Sequence, residues 1–189
     1  MIEDLTHSYG RWRAPTASAT ELDLGCGKGG FLLGLAQRYP DRRIIGVDVM
    51  IGRLRKVVSK INRSEVNNVS ILRCAAWPLV FCHLIDDSID RVHVLCPDPW
   101  PKKRHRKNRL LSSEFLGRLS TKIKGGGILH LSTDHEPYYQ EMLTAIGGMS
   151  CYEEFPEGII DVGDLKTEFE IRYEERQKRV FHQSWRVVK

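Results

Sequence analysis

The residues able to do chemistry fall at a few places along the chain. The first is the run from Asp23 to Phe31, DLGCGKGGF. Glycine has no Cβ, so Gly25 and Gly27 let backbone N–H groups approach a ligand closely. The spacing admits two readings. Gly25, Gly27 and Gly29 give GxGxG, the form that cradles S-adenosylmethionine, whereas Gly25, Gly27 and Gly30 give GxGxxG, the dinucleotide form. Asp23 favours the first, since a carboxylate there can accept a hydrogen bond from the amino group of a methionine-like cofactor. Lys28 suits a pyrophosphate and counts the other way. Asp48 ends the next strand-like run beyond Gly27, where an acid meets the ribose hydroxyls of an adenosine cofactor.

The second place is Pro97-Asp98-Pro99-Trp100, two prolines fixing the backbone around a carboxylate. Eight residues follow from Lys102 to Arg109, and six of them (Lys102, Lys103, Arg104, Arg106, Lys107, Arg109) are permanent cations. Such a run is either a solvated loop or a contact surface for phosphates. Later come Thr133-Asp134 and Thr167-Glu168-Phe169-Glu170. The latter has the spacing of a helix capping box, Thr167 at the N-cap and Glu170 three residues on.

These residues need elements to position them. Short β-like runs predict strands at 20–24, 44–49, 69–72, 89–96 and 128–132, and helical spacing predicts helices near 31–39, 51–62 and 111–123. Ser112 or Ser113 is the expected N-cap of the third helix, and Gly125 to Gly127 the turn after it. Strands alternating with helices predict an α/β, doubly wound Rossmann-like sheet, mostly parallel. Beyond Cys151, a strand at 152–155, a loop at 156–166, a charged helix near 168–178 and a strand at 180–188 predict an antiparallel finish. In that sheet the glycine loop, Asp48, Asp98 and Asp134 all end strands at one carboxyl edge, where ligands bind. The reading is one domain over residues 19–189, preceded by an extension, 1–18, whose composition leaves room for flexibility.

Composition narrows the classes further. Hydrophobic residues make up 41% of the chain and charged residues 28%. That balance is ordinary for a globular protein. No apolar run is long enough for a membrane span, which takes roughly 20 residues. The start Met1-Ile2-Glu3-Asp4 lacks a secretory pattern, so the expected location is the cytoplasm. Five cysteines without a CxxC pair argue against a disulfide framework or a zinc site, and no metal is expected. The net charge of +5 is concentrated beside Asp98, which favours a polyphosphate partner.

Taken together, DLGCGKGGF, GVDV at 46–49, PDPWPKKRHRKNR at 97–109, TDHEPY at 133–138 and TEFE at 167–170 resemble the bacterial tRNA (guanine-N7-)-methyltransferase family. The resemblance implies a class I fold, S-adenosylmethionine as cofactor, and methylation of a guanine in the variable loop of tRNA, with no obligatory protein partner. It assigns Asp23, Gly25, Gly27, Asp48 and Asp98 to the cofactor, and Asp98 also to catalysis. Ala75 stands where the family has an acid near the adenine, so contact there falls to the backbone. Lys102, Asp134, Thr167, Glu168, Phe169 and Glu170 fall at substrate-binding positions, with Asp134 or Glu170 accepting the guanine N1–H and amino hydrogens. Lys103, Arg104, Arg106, Lys107 and Arg109 would contact tRNA. Guanine N7 has a lone pair and no proton, so the transfer needs alignment and electrostatics rather than a general base. The rival readings are a methyltransferase for another RNA, an RNA-binding module that has lost the cofactor, and a nicotinamide enzyme, for which no Tyr/Lys or His dyad is present.

Overall fold

The computed structural model describes every residue except Tyr9 and Thr16. Eight strands join in one sheet: β1 (Ile2–Asp4), β2 (Thr20–Leu24), β3 (Arg43–Asp48), β4 (Val69–Arg73), β5 (Ile89–Leu95), β6 (Ile123–Thr133), β7 (Tyr152–Glu154) and β8 (Phe181–Val187). Their order is β1-β4-β3-β2-β5-β6-β8-β7. Pairs from β1 through β6 are parallel, while β8 runs antiparallel to β6 and β7 to β8. All five residues of β2 are buried, as expected for a central parallel strand covered on both faces.

Helices cover the faces: α1 (Gly30–Arg38), α2 (Ile51–Ile61), a one-turn α3 (Ala76–Pro78) running into a π-helical turn, α4 (Ser113–Lys122), α5 (Glu136–Gly147) and α6 (Glu168–Glu175). Phe31, Leu32 and Leu35 of α1 pack on one face with Leu54 and Val57 of α2, while Phe115, Leu119 and Met142 of α4 and α5 fill the other. The chain winds outward through β2, β3 and β4, then crosses back to start β5 on the other side of β2. The carboxyl ends of β2 and β5 therefore part, leaving a crevice at the switch point.

Three elements differ from the sequence reading. Ile2 to Asp4 forms an edge strand on β4, with Leu5 N–H bonding Arg73 O at 3.0 Å, so part of the extension is tied to the sheet. Its side chains alternate too briefly to read as a strand without that partner. Helix α5 has no counterpart among the expected helices. Pro137 sits in its first turn and its N-cap is His135, whose Nδ1 accepts from Tyr138 N–H at 3.1 Å. Ser, Thr, Asp or Asn is the usual residue there. The glycines at 125–127 are not a turn but a bulge within β6. Ile89 pairs Ile123 and Arg91 pairs Ile128, so two steps along β5 match five along β6.

That bulge yields a stability test. A Cβ on Gly127 would lie 2.7 Å from the backbone oxygen of Asp90, which cannot move without breaking the ladder. Gly127→Ala should cost about 2 kcal/mol of unfolding free energy. Gly52 of α2 faces open space, and Gly52→Ala should gain about 0.5–1 kcal/mol. Urea denaturation of both variants measures the two signs.

Candidate functional site

The glycine loop turns sharply between β2 and α1. Gly25, Gly27 and Gly29 take φ of +90°, +55° and +76°. Residues with a Cβ rarely adopt these conformations. Gly25 and Cys26 N–H groups bond Val47 O at 2.8 and 2.9 Å, which fastens the loop to β3. Asp48 completes the attachment. Its carboxylate accepts from Gly27 N–H at 3.2 Å and from Met50 N–H at 2.7 Å, and pairs with Arg53 at 3.4 Å.

Asp23 is buried below this loop, and none of the groups acting on its carboxyl is a hydrogen-bond donor. Burial first, then the charges of Glu168, Glu170 and Asp48, push it up to about 8. Helix α6 closes the site from above. Thr167 Oγ1 accepts from Glu170 N–H and Glu170 accepts from Thr167 N–H at 2.6 Å, the full capping box. Lys60 then ties the helix to the loop, donating to Glu168 at 2.8 Å and to Lys28 O at 2.7 Å.

Two adjoining clefts result. One, of about 300 Å³, is lined by Asp23, Gly27, Lys28, Thr167, Glu168 and Arg172. The other, of about 350 Å³, is lined by Asp48, Ala76, Asp98, Trp100, Asp134 and Tyr173. Gly25, Arg53, Leu95 and Phe169 border both. Phe169, 43% exposed, stands between the clefts.

The turn carrying Asp98 is held under strain. Cys96 and Trp100 on either side of it take positive φ, 48° and 42°, which side chains other than glycine adopt only when their surroundings impose it. Cys96 N–H bonds Ser132 O at 3.0 Å, and the Trp100 ring meets His105 edge-on at 5.8 Å. Asp98 is exposed at the cleft mouth. The cationic run folds as a 3-10 helix (Lys103–Asn108) beside it, with Lys102, Lys103, Arg104, Arg106 and Lys107 exposed.

Two predicted contacts fall elsewhere. Arg109 is only 7% exposed: its guanidinium donates to Pro99 O at 2.7 Å, pairs with Glu141 and lies 4.7 Å over the Tyr138 ring. It anchors the strained turn and offers no surface to a polyanion. Glu170 turns away from both clefts, its oxygens taken by the capping box and His182. Asp134 does line the larger cleft and pairs with Lys178. Ala75 is exposed, and its neighbours Cys74 and Ala76 line the cleft in its place. Arg53 and Arg172 are lining residues that the sequence does not single out, since helix surfaces rich in Arg and Lys carry no local signal of a site.

A family model described as "Putative methyltransferase" matches residues 17–183. A tRNA (guanine-N(7)-)-methyltransferase of Neisseria gonorrhoeae is 33% identical over 88% of this chain and 69% of its own length. Another, from Bordetella pertussis, is 33% identical over 98% of this chain and 70% of its own. The chain belongs to this methyltransferase family. In fold it is similar to the 16S rRNA methyltransferase KamB (TM-score 0.66, 16% identity, 92% of this chain and 89% of that one). The aminoglycoside resistance methyltransferase NpmB1 is comparable (TM-score 0.64, 22% identity, 94% and 95% covered).

S-adenosylmethionine is the cofactor of such a methyltransferase, and the residues fit it. Asp23 is a buried carboxyl with no donor among the described residues, and an ammonium group would supply one. A Cβ on Gly25 would point into open space, the room a ligand needs. Asp48 keeps lone pairs for ribose hydroxyls beyond its two backbone bonds.

Two measurements follow. Asp48→Ala should weaken S-adenosylhomocysteine binding by about 1–3 kcal/mol in calorimetry, and should also lower the melting temperature because the loop loses its tie. Asp23 sets a pH dependence. An unliganded protein holds this carboxyl protonated up to about 8, so folding stability falls as pH rises from the ordinary carboxylate range toward 8. An incoming ammonium favours the ionised form, so affinity should rise with pH, by at most about tenfold per unit, and level near pH 8. Asp23→Asn should flatten that slope.

Proposed function

We propose that this chain transfers a methyl group from S-adenosylmethionine to N7 of a guanine in tRNA, in the variable loop. The observation that carries the reading is adjacency. The cleft that suits the cofactor opens directly onto Asp98, and the exposed cations at 102–107 flank that mouth. The 33% identical relatives named tRNA (guanine-N(7)-)-methyltransferase support the same target.

When bound, the cofactor supplies an electrophilic methyl group on a sulfonium sulfur. The chain's own residues do the rest. Asp23 and Asp48 fix the two ends of the ligand, and the turn at Asp98 and Trp100 frames the space for the base. N7 carries its lone pair without a proton, so no side chain has to remove one. Positive charge grows on the purine as the bond forms, and a carboxylate at Asp98 favours it. Asp134, in the same cleft, is the acceptor for the guanine N1–H and amino hydrogens. Phe169 supplies an apolar face between the two ligands. Lys102, Lys103, Arg104, Arg106 and Lys107 hold phosphates, giving affinity without reading bases. Such a substrate places the work in the cytoplasm, and the five free cysteines suit a reducing compartment.

Incubation with methyl-labelled cofactor and bulk tRNA, followed by nucleoside analysis, tests the reading. Label in 7-methylguanosine is expected; label in another nucleoside would redirect the assignment to a different target atom. Replacing Lys102, Arg104 and Arg106 with Ala should lower the salt slope of log tRNA affinity by up to about 3 and leave S-adenosylhomocysteine binding unchanged. An unmoved slope would mean that the run is only a solvated loop.

A further inference from the structure

Five side chains that the reaction does not use form one hydrogen-bonded chain through the sheet. Glu21 Oε2 lies 3.0 Å from His93 Nε2, and His93 Nδ1 lies 3.0 Å from His130 Nδ1. His130 Nε2 lies 3.0 Å from His182 Nδ1, and His182 Nε2 lies 3.0 Å from Glu170 Oε1. The links step across β2, β5, β6 and β8 to helix α6. Phe31 of α1 covers them, its ring 4.8 Å from that of His93. Among the described residues no cluster of His, Cys, Asp and Glu is arranged to hold a metal ion. Protons must hold this chain together.

Their number can be counted. Each of the four contacts is a hydrogen bond only if one proton lies in it. Two ionised carboxylates bring none, and three neutral imidazoles bring three. A fourth is required, or two buried lone pairs face each other with no proton between them. Both carboxylates are held ionised. Burial opposes this at Glu21, but His93 and Arg91 keep it well below the usual range. Burial opposes it at Glu170 too, and His182 with the Thr167 amide prevails. Burial pushes His93 and His130 below the ordinary imidazole range, so neither carries the charge. His182, with 37% of its side chain exposed, is the one ring of the three that reaches water.

A charge on His182 fixes every tautomer. His182 donates from Nε2 to Glu170 and from Nδ1 to His130 Nε2. His130 donates from Nδ1 to His93 Nδ1, and His93 from Nε2 to Glu21. The end at Glu170 matters for function. Glu170 is 3% exposed, and the one cationic partner the described residues give it is His182. Its other oxygen closes the capping box of α6, the helix that brings Thr167, Glu168 and Phe169 over the cofactor cleft.

We propose that His182, as an imidazolium, is a positioning residue: through Glu170 it locks α6 over the cleft and so sets cofactor affinity. The inference rests on that cleft being the cofactor site. Around His182 a surface hollow carries Lys166, Glu174, Lys178 and Arg179. Lys166 pairs with Glu174 and Lys178 with Asp134, while Arg179 lies 4.6 Å over the Phe181 ring. The cations oppose the charge on His182, and Glu170, in direct contact, favours it.

Two readings on the full chain test the proposal. Nitrogen-15 spectra of the imidazole rings count protonated ring nitrogens in wild type. Four of the six on His93, His130 and His182 are expected at pH 6.5; three would overturn the proposal. Calorimetry with S-adenosylhomocysteine at pH 6.5 compares variants in the Asp23→Asn background, which removes the titration of Asp23. His182→Gln keeps donors but no charge and should bind about 10-fold more weakly, the scale of one charge-assisted hydrogen bond. His182→Arg keeps the charge and should bind within about 3-fold of that background. Unchanged affinity in His182→Gln, or equal weakening in both variants, would overturn the role of the charge. Failure of wild type itself to bind would instead count against the cofactor reading, and the proton count needs no variant to fold.

Discussion

Asp48 is the joint on which the site depends. Its carboxylate holds the amide of Gly27, at the turn after β2, and the amide of Met50, at the start of α2. One side chain thereby ties together the turns after β2 and β3, which lie side by side on one side of the crevice. The glycines alone could not do this. Positive φ makes the tight turn available, but it also leaves the loop free to take other conformations. The carboxylate selects one of them and presents its remaining lone pairs to whatever enters. The residue that organises the site is thus also the one we propose to meet the ribose.

The opposite wall has to be brought in from the far end of the sequence. Helix α6 follows every parallel strand of the sheet, and it is attached by charges instead of a broad apolar face. Lys60 bridges Glu168 to the loop, and Glu170 is tied to His182. Acid is therefore concentrated above Asp23, and burial with those acids leaves its carboxyl protonated near neutrality. Lys28, Arg53 and Arg172 line the same cleft, but the groups acting on Asp23 itself are all acids. The buried acid that would attract an ammonium group is also one that costs stability when ionised without a partner.

How much of this the sequence carried follows from the range of each interaction. The glycine loop was legible because the tight turn needs glycines, and β2 only as the short run leading into it, since Thr20, Glu21 and Asp23 interrupt its apolar residues. The switch-point rule then put Asp48, Asp98 and Asp134 on one edge. The capping box at Thr167 was legible for the same reason as the loop, being complete within one turn of chain. Helix α5 was not, because its cap is a histidine and its second residue a proline. Arg109 looked like its neighbours in a cationic run, and only the fold reveals that Tyr138 and Glu141 draw it inward. The chain through His93, His130 and His182 joins residues 72, 37 and 52 positions apart. No local pattern encodes contacts of that range; the strand order does.

A structure of the chain with S-adenosylhomocysteine tests the central claim, that one preformed crevice holds the cofactor between Asp23 and Asp48. The account predicts the ligand's ammonium about 3 Å from an Asp23 oxygen and its ribose hydroxyls about 3 Å from Asp48. The bonds from Gly27 and Met50 to Asp48 stay intact, and Arg53 gives way. A ligand seated in the reverse sense, or one that leaves Asp23 without a partner and Arg53 still paired with Asp48, would contradict it.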